Sequence, residues 1–512
     1  MNLLKRFKKL FDPIDLTEGK IVKVFTLFLI PIMLSMIFQQ VYSLTDSIIV
    51  GQNLTENEIA GVNDAIPIAN LILNFTIGCT AGFSVILSKA IGEKDEKKSK
   101  ESIFIQFVLS LILSIILTVA SYFLIDPLLA WVKIVPSETN ISMNQIYEAA
   151  RTYLLILFVV GISAQFLYNM IVSVLRAMGD SFTPFVFLVL SCILNIALDL
   201  LFIVTFKWGV AGSAYATVIS QGLAAIGAII YAFVRYKSIR IHKEDIKINY
   251  AFTYEHLKMG IPLGIQWSII FIGVVLMSAA VIPFDIIDGS TMVAGNPAQV
   301  GYGVSNKLSG LLMGFFSALG TGLLSFISQN YGAKKYSRIR NGFKVSIYMG
   351  IIISVLCCVI GLLLTINAAY MHIFLDNSII TESSILYGNT YLYIALPFYS
   401  GLGIIYIGRN TIQALGKPLF PLLSGLWELV ARLIVCTFLP SLVNGGPINS
   451  QASLASYMMV CFADPITWVI SGLIVFIPSV YYIYKKFPKE DVIPLKKESE
   501  IISSTTPSKA SI

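Results

Sequence analysis

Asn195 and Asp199 stand four residues apart in SCILNIALDLLFIV (191–204), a run with no other charge. That spacing puts both side chains on one face of a helix. An ionisable carboxylate inside a hydrocarbon layer is costly, so by default it marks function. A second carboxylate, Asp46, sits in VYSLTDSIIVG (41–51), and a hydroxyl, Thr217, in SAYATVISQ (213–221). Counted from the flanking loops, all four residues occupy the outer half of a membrane and can converge inside one helix bundle. Two carboxylates, an amide oxygen and a hydroxyl are hard donors suited to a small cation. Two carboxylates crowded together in a low dielectric cannot both stay charged at low cost, so one can hold a proton instead. Either H+ or Na+ could therefore occupy the group. The competing reading is hydrogen-bond glue between helices, but a carboxylate is a far more expensive glue than an amide.

The C-terminal half carries other charges. Glu428 and Arg432, in GLWELVARLIV (425–435), are again four apart and are expected to form an intrahelical ion pair. Arg409 is expected near the inner end of its span. Lys307 is expected to be paired, or else to sense an anionic group. Asp464, which precedes Pro465, is expected to cap a helical break. The six cysteines all fall in apolar segments without metal-ligand spacing and read as small hydrophobes. His242, His256 and His372 lie outside the spans or at their ends, which argues against a histidine proton relay and offers no Asp or Ser partner for catalysis. There is no phosphate-binding loop, so ATP does not drive the protein directly.

The elements that must position these residues are membrane helices. Of 512 residues, 56% are hydrophobic and 13% charged, against about a quarter charged in soluble chains. Twelve apolar segments are long enough to cross a bilayer: 21–50, 60–88, 103–125, 150–175, 183–206, 209–234, 259–283, 299–329, 343–366, 388–415, 419–440 and 455–484. The expected class is an all-α integral membrane protein. Lys and Arg fill the loops at 88–102, 235–250 and 331–342 and the tail from Lys485, whereas 51–58, 284–298, 367–387 and 441–454 have none. Both termini are therefore expected in the cytoplasm, and the net charge of +7 needs no nucleic acid. Residues 1–20, with Lys5, Arg6, Lys8 and Lys9, read as an amphipathic lead-in on the membrane surface.

The chain also repeats itself. LRAMGDSFTP (175–184) matches IQALGKPLFP (412–421), and GFSVILSKAIGEKDEKKSK (82–100) matches GLLSFISQNYGAKKYSRIR (322–340). Six spans separate equivalent points, so the halves run in the same direction and an axis along the membrane normal should relate them. The expected domains are a six-helix lobe at 21–234, a linker at 235–258, a second lobe at 259–484 and a tail at 485–512. In this register Asn195 falls opposite Arg432 and Asp199 opposite Cys436, so the acidic site is not duplicated.

IPIMLSMIFQQVYSLTDSIIVG (30–51), the LRAMGD and IQALGKP turns, and WGVAGSAYATVISQ (208–221) resemble the multidrug and toxic compound extrusion (MATE) family over most of the chain. The likeness is to its DinF-like prokaryotic branch, since GIPLGIQWSIIFIGVV (260–275) lacks the acidic residue of the other branch. The resemblance implies a V-shaped pair of lobes that exports cationic or amphiphilic small molecules across the cell inner membrane in exchange for H+ or Na+, without a cofactor and as a monomer. It also implies a coupling site at Asp46, Asn195, Asp199 and Thr217, with Tyr42 one turn away and Asn169 facing inward.

A proline within a helix removes a hydrogen bond and favours a kink, so Pro31 is expected to be a hinge. Adaptable cavities use Met, aromatic and small side chains; Met36, Gln39, Met170, Trp267 and Phe315 are the candidate lining. Two further functions remain open: a flippase for lipid-linked precursors, which would need a strongly cationic cavity, and a membrane enzyme acting on lipids.

Overall fold

A computed structural model describes residues 11–137, 140–240, 249–289 and 291–491. Lys5, Arg6, Lys8, Lys9 and His242 lie outside the described residues. Twelve helices are long and apolar enough to cross a membrane: Ile21–Asn53, Glu56–Gly92, Glu96–Trp131, Ile141–Ala177, Phe182–Thr205, Gly209–Arg235, Tyr250–Asp285, Pro297–Gly332, Tyr336–Phe374, Glu382–Ala414, Leu419–Asn444 and Leu454–Lys486. We refer to them as the first to twelfth spans.

Most spans run past their apolar stretches because polar residues cap them outside the hydrocarbon. Thr55 and Glu58 form a reciprocal capping box at the start of the second span. Asp95 accepts from Lys98 N–H at 3.0 Å at the start of the third. The seventh begins at Tyr250 rather than near 259, because Asn249 caps it by accepting from Ala251 N–H at 3.1 Å. His256 therefore lies inside a helix rather than in a loop. It is fully buried, with Nε2 2.8 Å from Ser102 Oγ of the third span.

Three spans are interrupted, the tenth by a tightened 3-10 turn at Leu396–Phe398. The ninth breaks at Ile366–Ala368, where Asn367 and Ala368 adopt φ of 51° and 52°, and the twelfth breaks at Phe462. The one sheet among the described residues is a small antiparallel hairpin that pairs Ile286–Asp288 with Thr291–Met292.

The last six spans share a core that includes Tyr302, Phe316, Tyr391, Tyr399 and Trp468. The N-terminal bundle packs around Phe83, Phe158 and Phe166, and around Leu87, Met170 and Leu175. The first span belongs to both groups. Its early residues Phe25, Phe28, Leu29 and Ile32 are buried in the C-terminal core, with the Phe25 ring 5.6 Å from that of Phe326. Its late residues Ile49 and Val50 pack on Ile203 of the fifth span. The helix runs through Pro31 unbroken, and the Pro31 carbonyl accepts the Ser35 hydroxyl at 2.8 Å.

Both described chain ends lie on the side that carries the Lys/Arg-rich turns, here termed the basic side. There the second and eighth spans touch backbone to backbone. A Cβ on Gly92 would stand 1.9 Å from the Gln329 carbonyl oxygen, and one on Gly332 would stand 2.0 Å from that of Lys89. The two contacts are reciprocal, and Gly92 and Gly332 align in the sequence repeat, which fits a twofold axis between the halves. Gln329 Nε2 adds a 2.7 Å bond to the Ala177 carbonyl. Higher up, the first and eighth spans meet at Met36 and Gly314. Beyond that level Gly303 and Gly310 face open space and Lys307 is exposed. The halves are thus closed on the basic side and parted toward the other.

Gly92→Ala and Gly332→Ala should each lose about 1–3 kcal/mol of stability through overpacking against backbone that cannot turn away. Gly310→Ala should lose none. Thermal unfolding of the purified protein in detergent checks all three.

Candidate functional site

Asp46 of the first span and Asp199 of the fifth lie within hydrogen-bonding reach of each other. Two carboxyl groups bond only through a proton held between them, so this contact is proton-dependent by construction. With its amide oriented by the surrounding network, Asn195 donates from Nδ2 to Asp199 Oδ2 at 2.7 Å and accepts from Thr217 N–H at 3.1 Å. Tyr42 reaches Thr217 with its hydroxyl. Asn195 and Asp199 are buried, whereas Asp46, Tyr42 and Thr217 are half-buried. Asp46 Oδ1 and Asp199 Oδ1 are enclosed without a hydrogen-bond partner. Buried acceptors normally find one, so this donor set fits a proton or a small cation.

The sequence reading missed three features of the group. Tyr153 of the fourth span faces both carboxylates closely enough to interact with their charge. The fifth span widens into a π-type turn over Leu200–Thr205, immediately after Asp199; the Phe206 N–H accordingly reaches back to the Leu201 carbonyl at 2.9 Å. The fourth span widens likewise over Ile156–Gly161, and Thr118 of the third span donates to the Phe158 carbonyl there at 3.1 Å. Such widened turns concentrate at functional sites. No proline or Gly pair marks them in the sequence.

Other candidates go elsewhere. Asn169 does not join the acid pair; its amide donates to Thr76 of the second span at 3.2 Å. Met170 is 4% exposed and packs within the N-terminal bundle, where it lines an apolar cavity of about 410 Å³ with Phe107, Val174 and Phe233, away from the acid pair. Met36 lies at the contact between the first and eighth spans, Gln39 is exposed one turn on, and Trp267 and Phe315 are half-buried on the seventh and eighth spans.

In the C-terminal half the Glu428–Arg432 pair exists, at 3.6 Å, as one link of a longer chain. Arg409 pairs with Glu428, so it is a buried partner rather than a charge at a helix end. Arg432 also binds Asp464, with Nη2 at 3.0 Å and Nε at 3.2 Å from Oδ1. Tyr391 donates to the other Asp464 oxygen at 2.9 Å, so Asp464 serves this network in addition to standing in the first turn after the break. All four charges are buried and balance, lining a cavity of about 90 Å³ together with Tyr302, Asn306 and Trp468. Lys307 enters no ion pair among the described residues.

The family model described as MatE matches residues 31–201 and 292–438, one segment in each half. The chain is 29% identical over 401 residues to the "Probable multidrug resistance protein YoeA" of Bacillus subtilis, covering 77% of this chain and 82% of that protein. It is 31% identical over 326 residues to the "Probable multidrug resistance protein YpnP" of the same organism, covering 64% and 68% respectively. Among solved structures, one described as the outward-facing conformation of a multidrug resistance MATE family transporter superposes with a TM-score of 0.77 at 18% identity, over 92% of this chain and 98% of that one.

Glu428→Ala strands Arg409 and part of Arg432 in a dry interior and should cost about 3–5 kcal/mol. Pairing it with Arg409→Leu should recover much of that loss. Thermal unfolding of the two variants in detergent separates the outcomes.

Proposed function

Because the chain belongs to the MatE family, we propose that it is a secondary active exporter that exchanges amphiphilic or cationic small molecules for H+, with Na+ as the alternative ion. The carrying observation is the proximity of Asp46 and Asp199, two carboxyl groups from different helices, each with an enclosed oxygen that has no hydrogen-bond partner, which supports a shared proton. The names of the two Bacillus subtilis relatives support the substrate class. The basic side, which carries both described chain ends, is the cytoplasmic one. The two six-helix halves act as lobes, and the parted side is where substrate leaves.

The cycle follows from charge. A proton entering from outside lets Asp46 and Asp199 bond, drawing the first span toward the fifth, and the bend permitted at Pro31 narrows the N-terminal cavity so that substrate is expelled. Without the proton the two carboxylates repel and the first span relaxes. Asn195 and Thr217 hold Asp199 in place throughout, and Tyr42 and Tyr153 complete the polar wall.

A flippase would need a cationic cavity. Arg409 and Arg432 are neutralised by Glu428 and Asp464, which leaves Lys307 as the unpaired cation among the three expected to supply that charge and favours the exporter. The one pairing of His with Ser among the described histidines, His256 with Ser102, is fully buried and closed to a substrate, and His372 bonds to Asn377, which gives the enzyme reading no support among the described residues.

In proteoliposomes loaded with a fluorescent organic cation, an imposed proton gradient should drive efflux from the wild type. Asp46→Asn and Asp199→Asn should each lower it at least tenfold, and Pro31→Ala should slow it. Efflux that ignores both proton and sodium gradients, or survives both Asp substitutions, would overturn the reading.

A further inference from the structure

The segment FDPIDLTEGK, Phe11–Lys20, is the described part of the expected lead-in. It runs across the basic side and is fastened to both halves. At its start, Ile14 N–H donates to the Gly179 carbonyl at 3.0 Å, and Arg235 pairs with Asp12. The Phe11 ring meets Phe182 edge-on at 4.7 Å and Tyr231 at 6.1 Å. These partners all belong to the N-terminal bundle. At its end, Leu16 is fully buried in the C-terminal core. The Leu16 carbonyl accepts from Asn330 Nδ2 at 3.1 Å and from Arg338 Nε at 3.1 Å. Arg338 also donates to the carbonyls of Gly19 at 2.7 Å and Glu18 at 2.6 Å, and Lys335 Nζ to that of Thr17 at 2.8 Å.

We propose that Phe11–Lys20 is a strap that holds the basic side shut, and that it lets go of the N-terminal bundle, not the C-terminal one, when that side opens. This rests on the reading of the protein as an alternating-access transporter.

The choice of end follows from the contacts. Leu16 is locked in a core, and the helix that follows the strap keeps Phe25, Phe28, Leu29 and Ile32 in the same core. Moving that end would expose a continuous apolar surface to water, which opposes its release. Phe11 and Ile14 are only half-buried, and Asp12 and Arg235 are largely exposed, where an ion pair adds little. An exposed pair of Glu18 with Lys94 at 3.9 Å adds equally little. Gly179 sets the weak anchor: at φ +88°, a Cβ there would stand 2.2 Å from the Ile14 carbonyl oxygen, so only glycine admits the strap.

The test uses two cysteine pairs in a background lacking the six native cysteines, each closed with a short bifunctional thiol reagent that a reductant cleaves. Asp12→Cys with Arg235→Cys ties the strap to the N-terminal bundle, and Thr17→Cys with Lys335→Cys ties it to the C-terminal one. Two readouts are taken: efflux of a fluorescent organic cation, and hydrogen–deuterium exchange at 85–94 and 325–335, which the closed basic side covers. Closing the first pair should lower efflux at least tenfold and hold exchange at its slow limit, and reductant should reverse both. Closing the second should change either by less than twofold.

Gly179→Ala should act oppositely, speeding exchange at 11–16 and at the covered segments. Equal behaviour of the two pairs, or unchanged exchange on closing the first, overturns the strap. An exchange difference between the pairs with no efflux from any protein would leave the strap standing and overturn the transport reading.

Discussion

The cost of placing charge in a hydrocarbon layer organises both halves of this molecule. The C-terminal half meets that cost by pairing: Arg409, Glu428, Arg432 and Asp464 alternate in sign across three spans and are buried as a neutral set. The N-terminal half brings Asp46 and Asp199 together with no ion-pair partner for either among the described residues, and with Asn195 and Thr217 as neutral support. A balanced network resists change, since removing any member strands another. An acid pair is sensitive instead, because one proton decides whether it attracts or repels. In the repeat register Arg432 stands where the N-terminal half has Asn195, so one duplicated scaffold carries opposite solutions to one electrostatic problem.

The sensitive pair acts on an unusual helix. The first span begins in the C-terminal core at Phe25, Phe28, Leu29 and Ile32 and ends against the fifth span at Ile49 and Val50. Asp46 lies on the end that faces the N-terminal bundle, and Pro31 lies at the end of the stretch that the other core holds. A pull on Asp46 therefore meets resistance from a different group of helices. The backbone crossing at Gly92 and Gly332 fixes where the two groups meet.

Much of this was legible in the residues. Twelve spans follow from apolar run lengths, and Asp46, Asn195, Asp199 and Thr217 could be grouped because their expense, their i, i+4 spacing and their depth pointed to one place. What stayed hidden was tertiary. That Arg409 would meet Glu428, and Arg432 Asp464, depends on how three spans rotate about their axes, which hydrophobicity leaves open. The widened turns at Leu200–Thr205 and Ile156–Gly161 follow from packing and carry no sequence mark. Asn169 was grouped with the acids by resemblance, whereas its depth along the fourth span brings it to Thr76. The strap carried no mark in the sequence, because the hydrogen bonds of its backbone to Gly179, Asn330 and Arg338 depend on partners far along the chain.

Taken together, these contacts assign different tasks to the two ends of the first span. Its beginning, with the strap ahead of it, is held by packing and by carbonyl-to-guanidinium bonds that no proton in the membrane interior alters. Its end is held by the apolar packing of Ile49 and Val50 on Ile203 and, in the proposed cycle, by a contact of Asp46 with Asp199 that a shared proton makes. Two anchors of such different chemistry on one helix cannot respond together to the same signal. A change of charge at Asp46 and Asp199 must therefore appear as relative motion along the first span or as movement of the bundle to which its far end is fixed. Pro31 offers the first outlet, and the half-buried grip of Phe11 and Ile14 offers the second. The geometry makes both outlets available while keeping the C-terminal core, with its balanced charges, as the fixed frame.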